Sequence, residues 1–219
     1  YLKGVEPDQT VSELILENFQ RHLQVEQGDV ANLVPLDPAL PQESLWSDCA
    51  FDLQDATFVS DVDLSRCVFR VHVDLQNAAF TGKANFAYVD FRGGADLQDA
   101  TFQGRVTFAN TRFAGPVDFE SAKFSESADF KACRFLASAD FAHTRFEGPA
   151  RFEDSLFVGA TDFWGACFAD SADFTGTQFD DTLVVRMFSL DNPDFDGVRF
   201  QGSVSFEWST FDFGVASER

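Results

Sequence analysis

Tyrosine is almost missing from this chain, with two residues against 28 phenylalanines. A phenol needs a hydrogen-bond partner when buried and a phenyl ring does not, so the imbalance marks rings destined for a dry interior. Histidine and cysteine are scarce too, at three and four residues. His22, His72 and His143 are scattered, and no Cys or His falls at metal-ligand spacing. There is no serine elbow, no Walker loop and no dinucleotide glycine fingerprint. The common hydrolase, nucleotide-binding and redox classes are therefore unsupported, and neither cofactor nor metal is expected. No apolar run is long enough to cross a bilayer and no signal peptide is evident. The chain starts at Tyr1 rather than Met, which reads as a processed protein or an excised fragment, with membrane contact only through segments outside it. Basic residues are few, 16 Lys and Arg against 36 Asp and Glu, for a net charge of −20. Such a surface resists nucleic acid and anionic membranes and favours a basic protein partner or cations. Solubility or a salty habitat accounts for the acids equally well.

What is abundant is a rhythm. From Leu53 through Phe58, Leu64, Phe69, Leu75, Phe80, Phe86 and Phe91 to Phe179, a large apolar residue recurs at alternating steps of five and six. On an α-helix, which turns 100° per residue, those steps scatter the rings around the circumference. Two places before each large residue stands a small or β-branched one, such as Ala128 before Phe130, Cys133 before Phe135 and Thr144 before Phe146. A spacing of two on one face is the strand period. Each unit is thus a very short strand followed by a corner, and self-similarity at a fixed short period predicts a solenoid. The expected buried core includes Phe102, Phe113, Phe124, Phe130, Phe135, Phe141, Phe146, Phe152, Phe157, Phe163 and Phe168.

The spacers carry turn formers. Gly82, Gly93, Gly104, Gly115, Gly148 and Gly159 fall two places after the large residue in six-residue spacers, where a positive φ is expected of them. The five-residue spacers place Asp55, Asn77, Asp99, Asn110, Ser121 and Asp154 at the matching position.

Segments such as ADFKACRF, ADFAHTRF and ADFTGTQF resemble the pentapeptide-repeat family, over roughly residues 49 to 211. The strict five-plus-six alternation departs from that family's norm of five throughout. The resemblance implies a right-handed quadrilateral parallel β-helix with one strand per face, an all-β solenoid. Two five-plus-six units per coil give about 22 residues per turn, and parallel strands at ~4.8 Å then make a rod of roughly 35 Å. A flat coil of one such unit is the rival, disfavoured because two closing sheets leave little room for stacked rings.

Two parts are expected, residues 1–47 as an N-terminal helix and irregular cap and residues 48–219 as the β-helix. Thr10-Val11-Ser12-Glu13 has the form of a capping box. A helix to about Gln24 would carry Val11, Leu14, Ile15, Phe19 and Leu23 on one stripe and cover the open end of the solenoid. Residues 25–47, with Pro35, Pro38 and Pro41, read as irregular chain lying along the rod, and Trp46 as closing the first coil. After Phe179 the centres Val185, Leu190 and Phe195 sum to one residue short of the rule, an irregular coil near 180–195. The short remainder after Phe211 suggests further chain or an end-to-end homodimer through the C-terminal coil, and the family resemblance implies the same dimer. Cys49, Cys67 and Cys133 sit at small inward positions and Cys167 points outward. Reduced packing cysteines favour the cytoplasm and leave a periplasm open.

Stepping by one full coil gives Asp52, Asp74, Asp96, Asp118, Asp140 and Asp162 without exception, whereas the opposite face reads Asp63, Asn85, Thr107, Asp129, Arg151, Asp173. Stacked carboxylates ~4.8 Å apart repel by about 1 kcal/mol per pair in water. Backbone donors at the corner, counter-ions or a basic partner must offset that. The local explanation is that Asp stabilises its own turn; the functional one is an anionic interaction surface, with Trp164 beside it as a contact hot spot. Arg112 and Arg134 on one remaining face, and Lys123 and Arg145 on the other, weaken any imitation of duplex DNA. Asn192 to Gly197 superficially fits an EF-hand start, but Ser203 stands where a bidentate Glu belongs. The sequence thus points to a non-enzymatic interaction or scaffold module. An acidic DNA mimic that binds DNA gyrase or a related topoisomerase is the alternative, implied by the resemblance to family members that protect gyrase from quinolones.

Overall fold

The computed structural model describes residues 51–185, 189–191, 193–194, 197–205 and 210–212. The expected capping helix and the whole of 1–47, together with Cys49, Phe195, Phe206 and Trp208, lie outside those residues.

Among the described residues, thirty strands of two or three residues form four parallel sheets of eight, eight, seven and seven strands. The chain visits the four sheets in rotation, so each strand pairs with the strand four places on. Register shows the coil length directly: Asp96 pairs with Asp118 on the first sheet, Phe102 with Phe124 on the second, Val106 with Ala128 on the third and Phe113 with Phe135 on the fourth. Each step spans two five-plus-six units, which excludes the flat coil of one unit. Six coils keep this register. Ser189 still pairs with Cys167 at the full step, but Pro193 pairs with Ala172 and Arg199 with Gln178, each one residue short of it. One residue has dropped out of the coil between Leu190 and Pro193.

Strands this short arise because one residue faces out and the next faces in before the chain must turn. In Lys123–Phe124, the lysine is half-buried and the phenylalanine fully buried. Inside, rings of successive coils form columns. Phe102, Phe124, Phe146 and Phe168 stack at 4.5–5.0 Å with planes within 9° on the second side. Phe113, Phe135, Phe157 and Phe179 stack on the fourth side at 4.3–4.9 Å with planes within 11°, and Phe130 and Phe152 on the third at 4.9 Å. Neighbouring columns meet edge to face, as Phe124 meets Phe130 at 5.8 Å and 84°. Both geometries suit the ring quadrupole. The first side holds Leu53, Leu75 and Leu97 before Phe119, Phe141 and Phe163 take over, all of them buried.

The corners are of two kinds, and here the glycine expectation is corrected. From Leu53 to Phe179 every five-residue step closes a four-residue turn, as where Ala56 N–H donates to Leu53 O at 3.1 Å and Thr111 N–H to Phe108 O at 2.9 Å. The third residue of that turn takes positive φ whatever its type: Asp55, Arg66, Asn77, Tyr88, Ala132 and His143 all lie between +54° and +64°. None of Gly82, Gly93, Gly104, Gly115, Gly148 and Gly159 has positive φ. They are glycines because the six-residue corners of adjacent coils nearly touch. A Cβ on Gly93 would lie 2.2 Å from the Val71 carbonyl carbon, and one on Gly159 2.4 Å from that of Ala137.

Several small inward positions carry a hydroxyl or thiol. Oγ of Thr111, Thr144, Ser155 and Thr177 donates to the carbonyls of Phe86, Phe119, Phe130 and Phe152, 25 residues back, at 2.6–2.8 Å. Cys133 Sγ donates to Phe108 O in the same way at 2.9 Å. No buried side-chain nitrogen or oxygen among the described residues lacks a partner, as an apolar interior requires. Cys67 and Cys133 are buried and Cys167 is half-buried. Burial pushes the Cys133 thiol far above its usual range, so it packs rather than reacts.

Two sets of substitutions test this packing by urea denaturation. Phe135→Ala removes a ring stacked above and below and should cost about 3–5 kcal/mol. Gly93→Ala, against fixed backbone, should cost about 1–3 kcal/mol, whereas Ala132→Gly relieves a positive φ and should gain about 0.5 kcal/mol. Equal effects at positions 93 and 132 would mean the two corner types are misassigned.

Candidate interaction surface

The first sheet brings Asp52, Asp74, Asp96, Asp118, Asp140 and Asp162 into one outward row, each in register with the next. Asp52 is exposed and the other five are half-buried. Each lies just before a large inward residue, so its side chain can reach the turn that follows. Oδ1 of every one accepts the backbone N–H two residues on: Gln54 and Gln76 at 3.0 Å, Gln98 at 2.9 Å, Glu120 at 2.7 Å, Ala142 at 2.8 Å and Trp164 at 2.7 Å. On the third sheet Asp63, Asn85, Thr107, Asp129 and Asp173 make the same bond at 2.8–3.1 Å. The turn bond is therefore general to this corner, and it accepts an amide or hydroxyl oxygen as readily as a carboxylate. Charge on six successive rungs, before Val184 and Ser205 end the row, is peculiar to the first sheet.

That charge is not neutralised within the row. Asp52, Asp74, Asp96, Asp118 and Asp140 form no ion pair with a cation among the described residues. The consequence shows at Asp118, whose carboxyl titrates above its ordinary range. Burial is the largest cause, the Glu120 N–H opposes it, and the charges of Asp140 and Asp96 add to it. Beside the row runs a ladder that inspection of the sequence overlooked. Gln54 Nε2 donates to Gln76 Oε1 and Gln76 Nε2 to Gln98 Oε1, both at 2.8 Å, and Gln98 Nε2 donates to Glu120 at 3.4 Å. The signal was present as Gln, Gln, Gln, Glu recurring once per coil.

Two rungs beyond Glu120, past buried Ala142, Trp164 is exposed, and its ring lies 4.9 Å from that of His143, also exposed, at a 55° tilt. The cations of the flanking faces are placed where the sequence reading puts them and mostly held. Lys123 and Arg145 on the second face share Glu147 at 3.2 and 3.1 Å. Arg112 on the fourth face bonds Asp90 at 2.7 Å. No group of three or more His, Cys, Asp or Glu side chains among the described residues is arranged to hold a metal ion. No described helix is long and apolar enough to cross a membrane.

The family model described as pentapeptide repeats (9 copies) matches residues 64–112, 75–123, 108–156 and 119–166. Residues 64–166, within the regular body of the rod, thus carry the repeats of the pentapeptide-repeat family. No curated protein sequence matches it. Two solved structures similar to it are QnrB1, a plasmid-mediated fluoroquinolone resistance protein, and HetL, a pentapeptide-repeat protein involved in heterocyst differentiation regulation from the cyanobacterium Nostoc sp.. Each shares 13% identity over 74% of this chain, covering 89% of QnrB1 and 88% of HetL, with TM-scores of 0.23 and 0.19. Neither superposition carries an argument about function.

The row makes a pH prediction. Because Asp118 holds its proton more tightly folded than unfolded, the native state binds more protons in the acid range. This group's contribution therefore disfavours the fold as pH rises through the raised value and is relieved as pH falls back through it. Asp118→Asn keeps an oxygen for the Glu120 N–H and removes the charge. It should gain about 0.5 kcal/mol at neutral pH after allowing for solvent screening, and 1 M salt should remove only the part due to the neighbouring carboxylates Asp96 and Asp140. Urea titrations at pH 4 and pH 7 measure it, and a loss of stability at pH 7 would contradict it.

Proposed function

We propose that the protein is a non-enzymatic interaction module, a rod whose first face binds a basic protein segment. The observation that carries this reading is the aspartate row, held rigid by its own turns at one carboxylate per rung, with no cation among the described residues paired to Asp52 through Asp140. A row fixed in this way loses little side-chain entropy on binding. Exposed Trp164 at its end adds an aromatic surface on which a cationic side chain can rest. The DNA-mimic alternative is less well supported, because Arg112, Arg134, Lys123 and Arg145 interrupt the negative surface in mid-body.

A labelled nona-arginine peptide titrated by fluorescence anisotropy at 150 mM salt tests the reading. Binding should weaken at least tenfold when Asp74, Asp96, Asp118 and Asp140 all become Asn, a change that preserves the turn bonds. The same four substitutions made among exposed acids away from the first face, Asp61, Asp63, Asp154 and Asp170, should weaken it far less. Equal losses would assign binding to net charge and end the proposal. A gyrase supercoiling assay addresses the alternative, and no inhibition at micromolar protein is expected.

A further inference from the structure

The fourth face differs from the other three. Its outward strand residues include Arg112, Arg134 and Leu156, which are neighbours in register. One residue beyond each strand lie Leu136, half-buried, and Val158, 37% exposed. Arg112 and Arg92 share the one carboxylate of Asp90, each at 2.7 Å. Arg134 is exposed and forms no ion pair among the described residues. In a chain of net charge −20, this face joins surplus guanidinium to aliphatic surface, the combination found at the centres of protein interfaces. A second copy set antiparallel about Arg134 would bring Arg134 against Arg134, so self-pairing through this face is opposed by charge.

The complement lies in the same chain. Between Arg21 and Arg66 there is no Lys or Arg at all. Within that stretch residues 26–48 carry Glu26, Asp29, Asp37, Glu43 and Asp48 interleaved with Leu33, Leu36, Leu40, Leu45 and Trp46. Pro35, Pro38 and Pro41, spaced by three, favour an extended polyproline run that leaves its own backbone solvated and needs no strand edge to pair with. Phe51 opens the first coil and Leu136 lies three coils along, roughly 15 Å by strand spacing. About eight extended residues cover that distance with a corner to spare. The tether also makes docking intramolecular, at an effective concentration in the millimolar range.

We propose that residues 26–48 dock on the fourth face, with their carboxylates on Arg112 and Arg134 and their leucines on Leu136, Leu156 and Val158. The segment then straps one side of the rod, shields the guanidinium groups and leaves the first face open. This goes beyond the proposed function, and the first face plays no part in it.

The test uses the full chain with the photo-cross-linking residue benzoylphenylalanine in place of Leu136, and separately in place of the more exposed Val158. Irradiation followed by mass spectrometry should give a cross-link within one molecule to a peptide from residues 26–48. Adding Arg112→Glu and Arg134→Glu should reduce its yield at least fivefold. Hydrogen exchange gives a second readout: amides of 26–48 should exchange at least tenfold faster in Arg134→Glu than in the unchanged chain, with residues 51–185 unaffected. Cross-links that join two molecules would assign the face to a second copy and overturn the proposal. So would the absence of any link to 26–48 from both positions, or exchange in that segment indifferent to Arg134→Glu.

Discussion

Parallel strands joined by backbone hydrogen bonds stand at a fixed separation of ~4.8 Å, and that is a distance at which phenyl rings stack with a modest offset. A residue that faces inward in one coil therefore meets its counterpart in the next at ring-stacking distance, provided every coil has the same length. Columns such as Phe130 on Phe152, at 4.9 Å with planes 2° apart, express that match. The backbone sets the pitch and the rings fill the interior at that pitch. Every other feature, including the alignment of surface charge, follows from the equality of coil lengths.

The same constraint acts on the corners. With two five-plus-six units distributed over four sides, two corners take the shorter step and two the longer. The shorter needs a positive φ, which Asp and Asn supply cheaply and which Arg66, Tyr88 and Ala132 supply at some cost. The longer brings the corners of successive coils close together, and at Gly93 and Gly159 a Cβ would run into the backbone of the neighbouring coil, although Val71 and Glu126 fill the equivalent place in other coils. The period was legible because a strand exposes its alternation in the spacing of large and small residues, and the interior admits few substitutes for Phe. The role of the glycines was not legible. A turn glycine and a close-approach glycine look alike in one dimension, and only coil-to-coil geometry separates them. The clue lay elsewhere, in the five-residue steps, where residues as unlike as Tyr88 and Ala132 occupy one position and so point to a conformation imposed by the fold.

The surface divides similarly. That the aspartates fall on one face is pure arithmetic once the coil length is known, and the sequence suffices for it. That each also accepts a backbone N–H depends on side-chain reach and emerges only with the turn in view. The glutamine ladder beside them and the hydroxyls of Thr111, Thr144 and Ser155 were present at regular spacing but carry no apolar signal, so a search for hydrophobic rhythm passes over them. Charge on this rod is thus patterned by column: acids on the first face, guanidinium with leucine on the fourth, and paired ions on the second. A regular scaffold turns a one-dimensional choice of residue into a two-dimensional surface.

The closure of each coil after two five-plus-six units is the claim on which all of this rests, and engineered disulfides test it directly. Thr101 and Lys123 are neighbours in register on the second sheet, so cysteines at both should sit within the 4.4–6.8 Å Cα separation that a disulfide requires. The double variant Thr101→Cys, Lys123→Cys should oxidise readily to a bond within one molecule, with the native thiols unaffected. The control Thr101→Cys, Arg112→Cys, spaced by one unit and placed on opposite sides of the rod, should not. Cross-linking of the one-unit pair in preference to the two-unit pair would contradict the account.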